Sequence, residues 1–139
     1  MGQHDNYGKK ILRIAAGNAV ESSGSAVSIN YGAGTGAQID GVINGSIAVE
    51  IEARVSKQIR GAVLDLLCHR CEKKLLVILP AHAQNPETSA AQCRNILSRF
   101  LTAEAFRVVV TQGTGDDERI KNDVALIKGA LSELGFVAA

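Results

Sequence analysis

The sequence predicts an α/β domain, a mixed β-sheet flanked by helices, and three observations lead there. The second half of the chain alternates helical and strand patterns. Its two late strands are continuous apolar runs, and the middle of the chain holds two apolar runs joined by Asn44-Gly45. Strands alternating with helices call for a parallel pair with helices laid on the sheet. Asn-Gly between apolar runs is the strongest short-range hairpin signal, so the first half reads as an antiparallel meander. The order is αβββαβαβα over residues 1–139, one domain, since 139 residues can bury a core but are short for two.

Taken in order, Gly8 to Ala19 sets Ile11, Leu12, Ala15 and Ala19 at helical spacing, with Lys9, Lys10 and Arg13 between them, a first helix ending near Gly17 to Ser23. Ala26 to Tyr31 alternates as a short strand and leads into the glycine-rich GAGTGA. The hairpin strands are Gln38 to Ile43 and Ser46 to Val55. Ser56 caps a helix running to about Cys71, with Ile59, Val63, Leu66 and Leu67 on one face. KLLVIL, Lys74 to Leu79, is ended by Pro80 and reads as a strand covered on both faces. Asn85-Pro86 starts a helix that turns Cys93, Ile96, Leu97, Phe100 and Leu101 to one side. FRVVVT, Phe106 to Thr111, is a second buried strand. Asp116 and Asp117 open a last helix with Ile120, Val124, Ile127, Leu131 and Leu134 inward and Gly135 at its end.

Composition bounds the function. At 46% hydrophobic and 21% charged residues the chain is neither disordered nor fibrous. With no apolar run of about 18 residues, and no apolar stretch in MGQHDNYGKK, neither a membrane span nor a signal peptide is expected, and the expected location is cytoplasmic. The three cysteines fit a reducing compartment. A net charge of +1 means that any nucleic-acid surface must come from local clustering, and 4% aromatics without Trp argue against a stacking platform for single strands.

The strand Ser46 to Val55 concentrates charge. Its period of two puts Ala48, Glu50, Glu52 and Arg54 on one face and Val49, Ile51, Ala53 and Val55 on the other. A two-residue loop at Asn44-Gly45 would set Asp40 opposite Val49, pointing into the core, where an ionised carboxylate is costly. A three-residue loop of Ile43, Asn44 and Gly45, with Gly45 left-handed in a bulge, pairs Asp40 with Ala48 and gathers Asp40, Glu50 and Glu52 on one face. The bulged register is the expected one. Carboxylates so gathered repel unless a cation sits between them; hard cations such as Mg²⁺ take oxygen ligands and serve phosphodiester hydrolysis. The competing reading is a solvated face on which Glu50 and Glu52 pair with Arg54 or Lys57.

IDGVI, then VEIEAR, then a helix beginning SKQIRGAVLDLL resemble the PD-(D/E)XK nuclease superfamily, which has the restriction-endonuclease-like fold. The resemblance covers most of the chain. It implies a metal-dependent endonuclease hydrolysing DNA phosphodiester bonds, with Asp40 and Glu50 binding Mg²⁺ or Mn²⁺. The third position is usually lysine; here it is Glu52, which can act only as a base or a further metal ligand. Lys57, one turn into the next helix, is placed to supply the missing cation. Gln58 and Arg60 fall where family members hold polar site residues, and Glu21 falls where some add another acid. The implied partner is DNA. A homodimer is implied as well, because one chain presents one site and cutting both strands takes two. The missing lysine, small size and near-neutral charge equally suit a catalytically inactive relative that serves as a DNA- or protein-binding or oligomerisation module.

Other signals are weaker. Gly32 to Ala37 spells G-x-G-x-x-A, but a strand and a turn follow instead of the helix that a dinucleotide site needs. Cys68 and Cys71 stand at a helix C-terminus, where the dipole does not activate thiols, so they read as ordinary core or surface cysteines. Lys9, Lys10, Arg13, Arg70, Lys73 and Lys74 become phosphate contacts only if they lie beside the Asp40 cleft. His82 falls at a strand's C-terminal edge.

Overall fold

The computed structural model describes residues 3–54, 56–80 and 85–137. In chain order the elements are α1 (Gln3–Ala16), β1 (Val20–Glu21), β2 (Ser28–Ile29), β3 (Ala37–Gln38), β4 (Gly41–Ile43), β5 (Ile47–Glu52), α2 (Ser56–Cys68), β6 (Lys73–Ile78), α3 (Pro86–Leu97), β7 (Phe106–Val110) and α4 (Asp117–Glu133). Five strands form one mixed sheet, ordered β1-β4-β5-β6-β7. β1, β4 and β5 run antiparallel, and β5, β6 and β7 run parallel. The expected α/β architecture is therefore present. His82 lies outside the described residues, and no described helix is long and apolar enough to cross a membrane.

Two successive crossovers explain the layers. β5-α2-β6 and β6-α3-β7 each step one strand in the same direction, and the right-handed connection favoured by twisted strands puts both helices on one face. Period-two alternation then divides each strand between two cores. Val49, Ile51, Leu75 and Val77 pack with Ile11 and Leu12 of α1 and Ile127 and Leu131 of α4. Ala48, Leu76 and Ile78 pack with Ile59, Val63 and Leu66 of α2 and Cys93 and Leu97 of α3. β5 lies at the centre of the sheet, and all six of its residues are buried.

Three expectations are corrected. Ala26 to Tyr31 is not a strand of the meander: a 3-10 turn covers Gly24–Val27, and Ser28–Ile29 pairs with Ala37–Gln38 in a separate two-stranded ribbon. Its apolar alternation is used differently, burying Val27 and Ile29 among the α2-side residues. The meander instead begins with Val20–Glu21, paired to Ile43 and Val42. α1 ends at Ala16, next to the expected end, and a 3-10 turn follows in which Gly17 has φ +57°. α2 ends at Cys68, short of Cys71. Phe100 is 67% exposed, because α3 ends at Leu97 and helical spacing no longer places it. β7 is the far edge of the sheet, and the Val108 carbonyl there accepts a 2.7 Å hydrogen bond from Arg94 Nη2.

Candidate functional site

The hairpin decides which way Asp40 faces. Asn44 and Gly45 both take positive φ, +53° and +69°, and Ser46 N–H closes the turn on the Ile43 carbonyl at 3.0 Å. Two left-handed central residues are what a tight hairpin turn of this hand requires. One further residue, Ser46, is left out of the ladder, so Ile43 pairs with Ile47 and Gly41 with Val49. The extra residue falls after the turn, not before it as expected, and the register is two residues away from Asp40 opposite Ala48. Parity is preserved: Asp40 stands opposite Glu50.

Pairing of β4 ends at Gly41, and the Asp40 side chain continues the ladder by accepting Ile51 N–H at 2.7 Å. Asp40 N–H in turn donates to Glu50 Oε1 at 3.0 Å. Glu50 and Glu52 are only 8% and 6% exposed, because their strand is central. Burial, then the neighbouring Asp40 and Asp65 carboxylates, push Glu50 up to about 10. Burial also raises Asp40, opposed by the Ile51 N–H bond and by the charge of Lys9. The repulsion expected of gathered acids is thus present, and protons relieve it.

Glu52 is engaged differently. Arg54 holds it in a fork, Nε to Oε1 at 2.6 Å and Nη2 to Oε2 at 3.0 Å, with Arg54 N–H adding a third bond at 3.0 Å. This is the pairing of the solvated-face reading, realised for Glu52 and not for Glu50.

A polar cavity of about 400 Å³ opens here, lined by Lys9, Gln38, Asp40, Glu50, Glu52, Arg54 and Asp65. Lys57 is exposed on the first turn of α2 and is absent from this lining, as are Gln58, Arg60 and the exposed Glu21 of β1. The cavity's lysine is Lys9. α1 approaches β5 so closely at Gly8 that an added Cβ would lie 2.5 Å from Ile51 Cγ2, and this contact brings the next residue, Lys9, to the cavity. Asp65 reaches it from α2 and also accepts a hydrogen bond from the Tyr31 hydroxyl. Tyr31, raised to about 12 first by that bond and then by burial, stays a neutral donor.

Sequence reasoning missed Asp65, Gln38 and Tyr31, and named Lys9 only as a conditional phosphate contact. For Asp65 a signal exists: it follows Ala62 by three positions on the buried side of α2, where an acid is out of place. The donor chemistry of the cavity, carboxylate oxygens, suits a hard divalent cation. Among the described residues, however, no three His, Cys, Asp or Glu side chains are already disposed as a ligand set. Cys68, Cys71 and Cys93 are free thiols. Comparison with known proteins gave no match: no family model, curated protein or solved structure is significantly similar to this chain.

Proposed function

We propose that the cavity binds Mg²⁺ or Mn²⁺ and that the protein, a restriction-endonuclease-like domain of the cytoplasm, hydrolyses phosphodiester bonds of DNA as a homodimer. One observation carries the reading: Asp40 opposes Glu50 at the point where the meander's ladder ends, with a lysine beside them. Asp40 and Glu50 are the residues that hold the cation. A bound divalent ion would neutralise charge on the scissile phosphate and lower the pKa of an attacking water. Lys9 takes the charge-stabilising part expected of Lys57, because it lines the cavity and Lys57 does not. Glu52, held by Arg54, is withheld from base or ligand duty until that fork opens.

The test is incubation with duplex and branched DNA in Mn²⁺. Cleavage by the wild type that disappears in Asp40→Ala and Lys9→Ala is expected; no cleavage, or cleavage unchanged by Asp40→Ala, removes the enzymatic reading. The Glu52–Arg54 fork favours a second reading, a catalytically inactive module that binds DNA or protein. A cation titration without heat would support it.

A further inference from the structure

α1 and α4 lie side by side on one face of the sheet and run in the same direction: Tyr7 meets Asp123, whereas Ala16 and Gly17 share a cavity with Lys128 and Phe136. Between the helices an apolar groove of about 480 Å³ stays open, with Ile14, Ile120, Val124 and Ala125 in its lining and Asp117 and Lys128 towards its ends. Ile14 is 50% exposed, so the core of the domain leaves this isoleucine half in water. The neighbouring cavity shares Ile14 and Lys128 and extends the groove to Val137. An apolar groove rimmed by charge marks an interaction site.

The charges decide what fits it. Asp117 and Lys128 stand on the same side of α4, about 16 Å apart along its axis. Both are exposed, and among the described residues neither has an ion pair or a side-chain hydrogen bond within the chain. The groove beside β7 differs: its Arg94 and Arg107 are already bonded to carbonyls of the chain. A row with an acid at one end and a base at the other is its own complement when reversed. Laid antiparallel on a second α4 about a twofold axis, Asp117 of each copy meets Lys128 of the other. Ile14 and Ala125, between those ends, then close apolar surface against apolar surface near the axis.

We propose that a second copy of this chain seats on the α1–α4 groove, α4 antiparallel to α4, with two Asp117–Lys128 pairs at the rim. This names the face of the homodimer in the reading above and rests on its dimer alone, not on its cation. The groove shares no lining residue with the acid cavity, so the two can be tested separately. Lys121, between Asp117 and Lys128, is the charge that the reversal leaves unmatched.

Sedimentation of the full chain should show a monomer–dimer equilibrium that weakens as salt rises, because the paired charges are exposed. Asp117→Lys and Lys128→Asp each turn both pairs into like-charge contacts and should raise the dimer dissociation constant about tenfold. Mixed in equal amounts, the two variants restore opposite charges at both contacts. A heterodimer of wild-type affinity should form, which also shows that both variants fold. Lys121→Ala should not weaken the dimer, as it would weaken the hold on an acidic partner of another kind. A wild-type chain that stays monomeric, or variants that fail to rescue each other, overturns the face. DNA nicked in Mn²⁺ by such a monomer leaves the cation site standing, whereas a salt-sensitive, rescuable dimer without cation-dependent cleavage keeps the face and removes the nuclease.

Discussion

Of the three buried carboxylates among the described residues, Asp123 and Glu50 lie on opposite faces of the sheet and have opposite characters. Asp123 of α4, 1% exposed, accepts from Tyr7 Oη at 2.6 Å, Gln112 N at 2.7 Å and Gly113 N at 3.1 Å. Three donors replace the water it gave up, and one side chain ties α1, α4 and the loop after β7 together. Burial and the adjacent Asp123 raise the Tyr7 hydroxyl far above its usual range, so it remains a donor throughout. Glu50 is almost as buried but faces Asp40 and Asp65 with one N–H donor, and it responds by holding a proton. Burial does not distinguish a structural acid from a chemically poised one; the donors around it do.

The strongest way to break this comparison is Asp123→Ala, which leaves two loop N–H groups and a tyrosine hydroxyl without their acceptor. A loss of about 3–5 kcal/mol is expected in urea unfolding. A loss below about 1 kcal/mol would show that the three donors find other partners.

Glu50 should behave in the reverse sense. Its folded pKa, about 10, lies above the unfolded 4.5, so the folded state binds the extra proton between those values. Stability is then fullest below pH 4.5 and falls as pH rises towards 10. Glu50→Gln, which keeps a donor towards Asp40 and Asp65, should stabilise by on the order of 2–3 kcal/mol at neutral pH and flatten the profile of thermal midpoint against pH. An unchanged slope in the variant would place the proton elsewhere.

Gly8→Ala probes how Lys9 arrives. Alanine favours the helix, but its methyl meets the stiff Ile51 side chain at 2.5 Å, for a net loss of about 1–2 kcal/mol. Cation-dependent cleavage should fall further than stability does, and equal losses would make Lys9 a bystander. The smallest effect belongs to Arg54→Ala. Its side chain is 68% exposed, but its partner Glu52 is buried and keeps only the Arg54 N–H bond, so stability should fall by about 1 kcal/mol. The freed Glu52 should tighten Mg²⁺ binding in calorimetry, whereas unchanged affinity would exclude Glu52 from the site.

The legible parts of the molecule were those written in local periodicity. KLLVIL and FRVVVT became adjacent parallel strands because unbroken apolar runs suit a sheet covered on both faces. Asp40 met Glu50 because parity follows from any odd-length loop, even though the bulge was placed on the wrong side of the turn. Val20–Glu21 was invisible, since two residues carry no period, and choosing it over Ala26 to Tyr31 depends on which edge of β4 is free in three dimensions. Lys9 depended on how α1 sits on the sheet, a tertiary fact. Asp123 did leave a trace: three positions after Ile120 and four before Ile127, it interrupts the apolar stripe of α4.

The Arg94 bond to Val108 bears on how copies of this chain can meet. A five-residue strand reading FRVVV at the rim of a sheet is a natural template for another strand. The guanidinium occupies the outward carbonyl at the middle of that rim, so a second copy cannot extend the sheet across β7 without evicting Arg94. A homodimer that leaves this bond intact must therefore form through a different surface, and the same bond keeps β7 from seeding open-ended stacking.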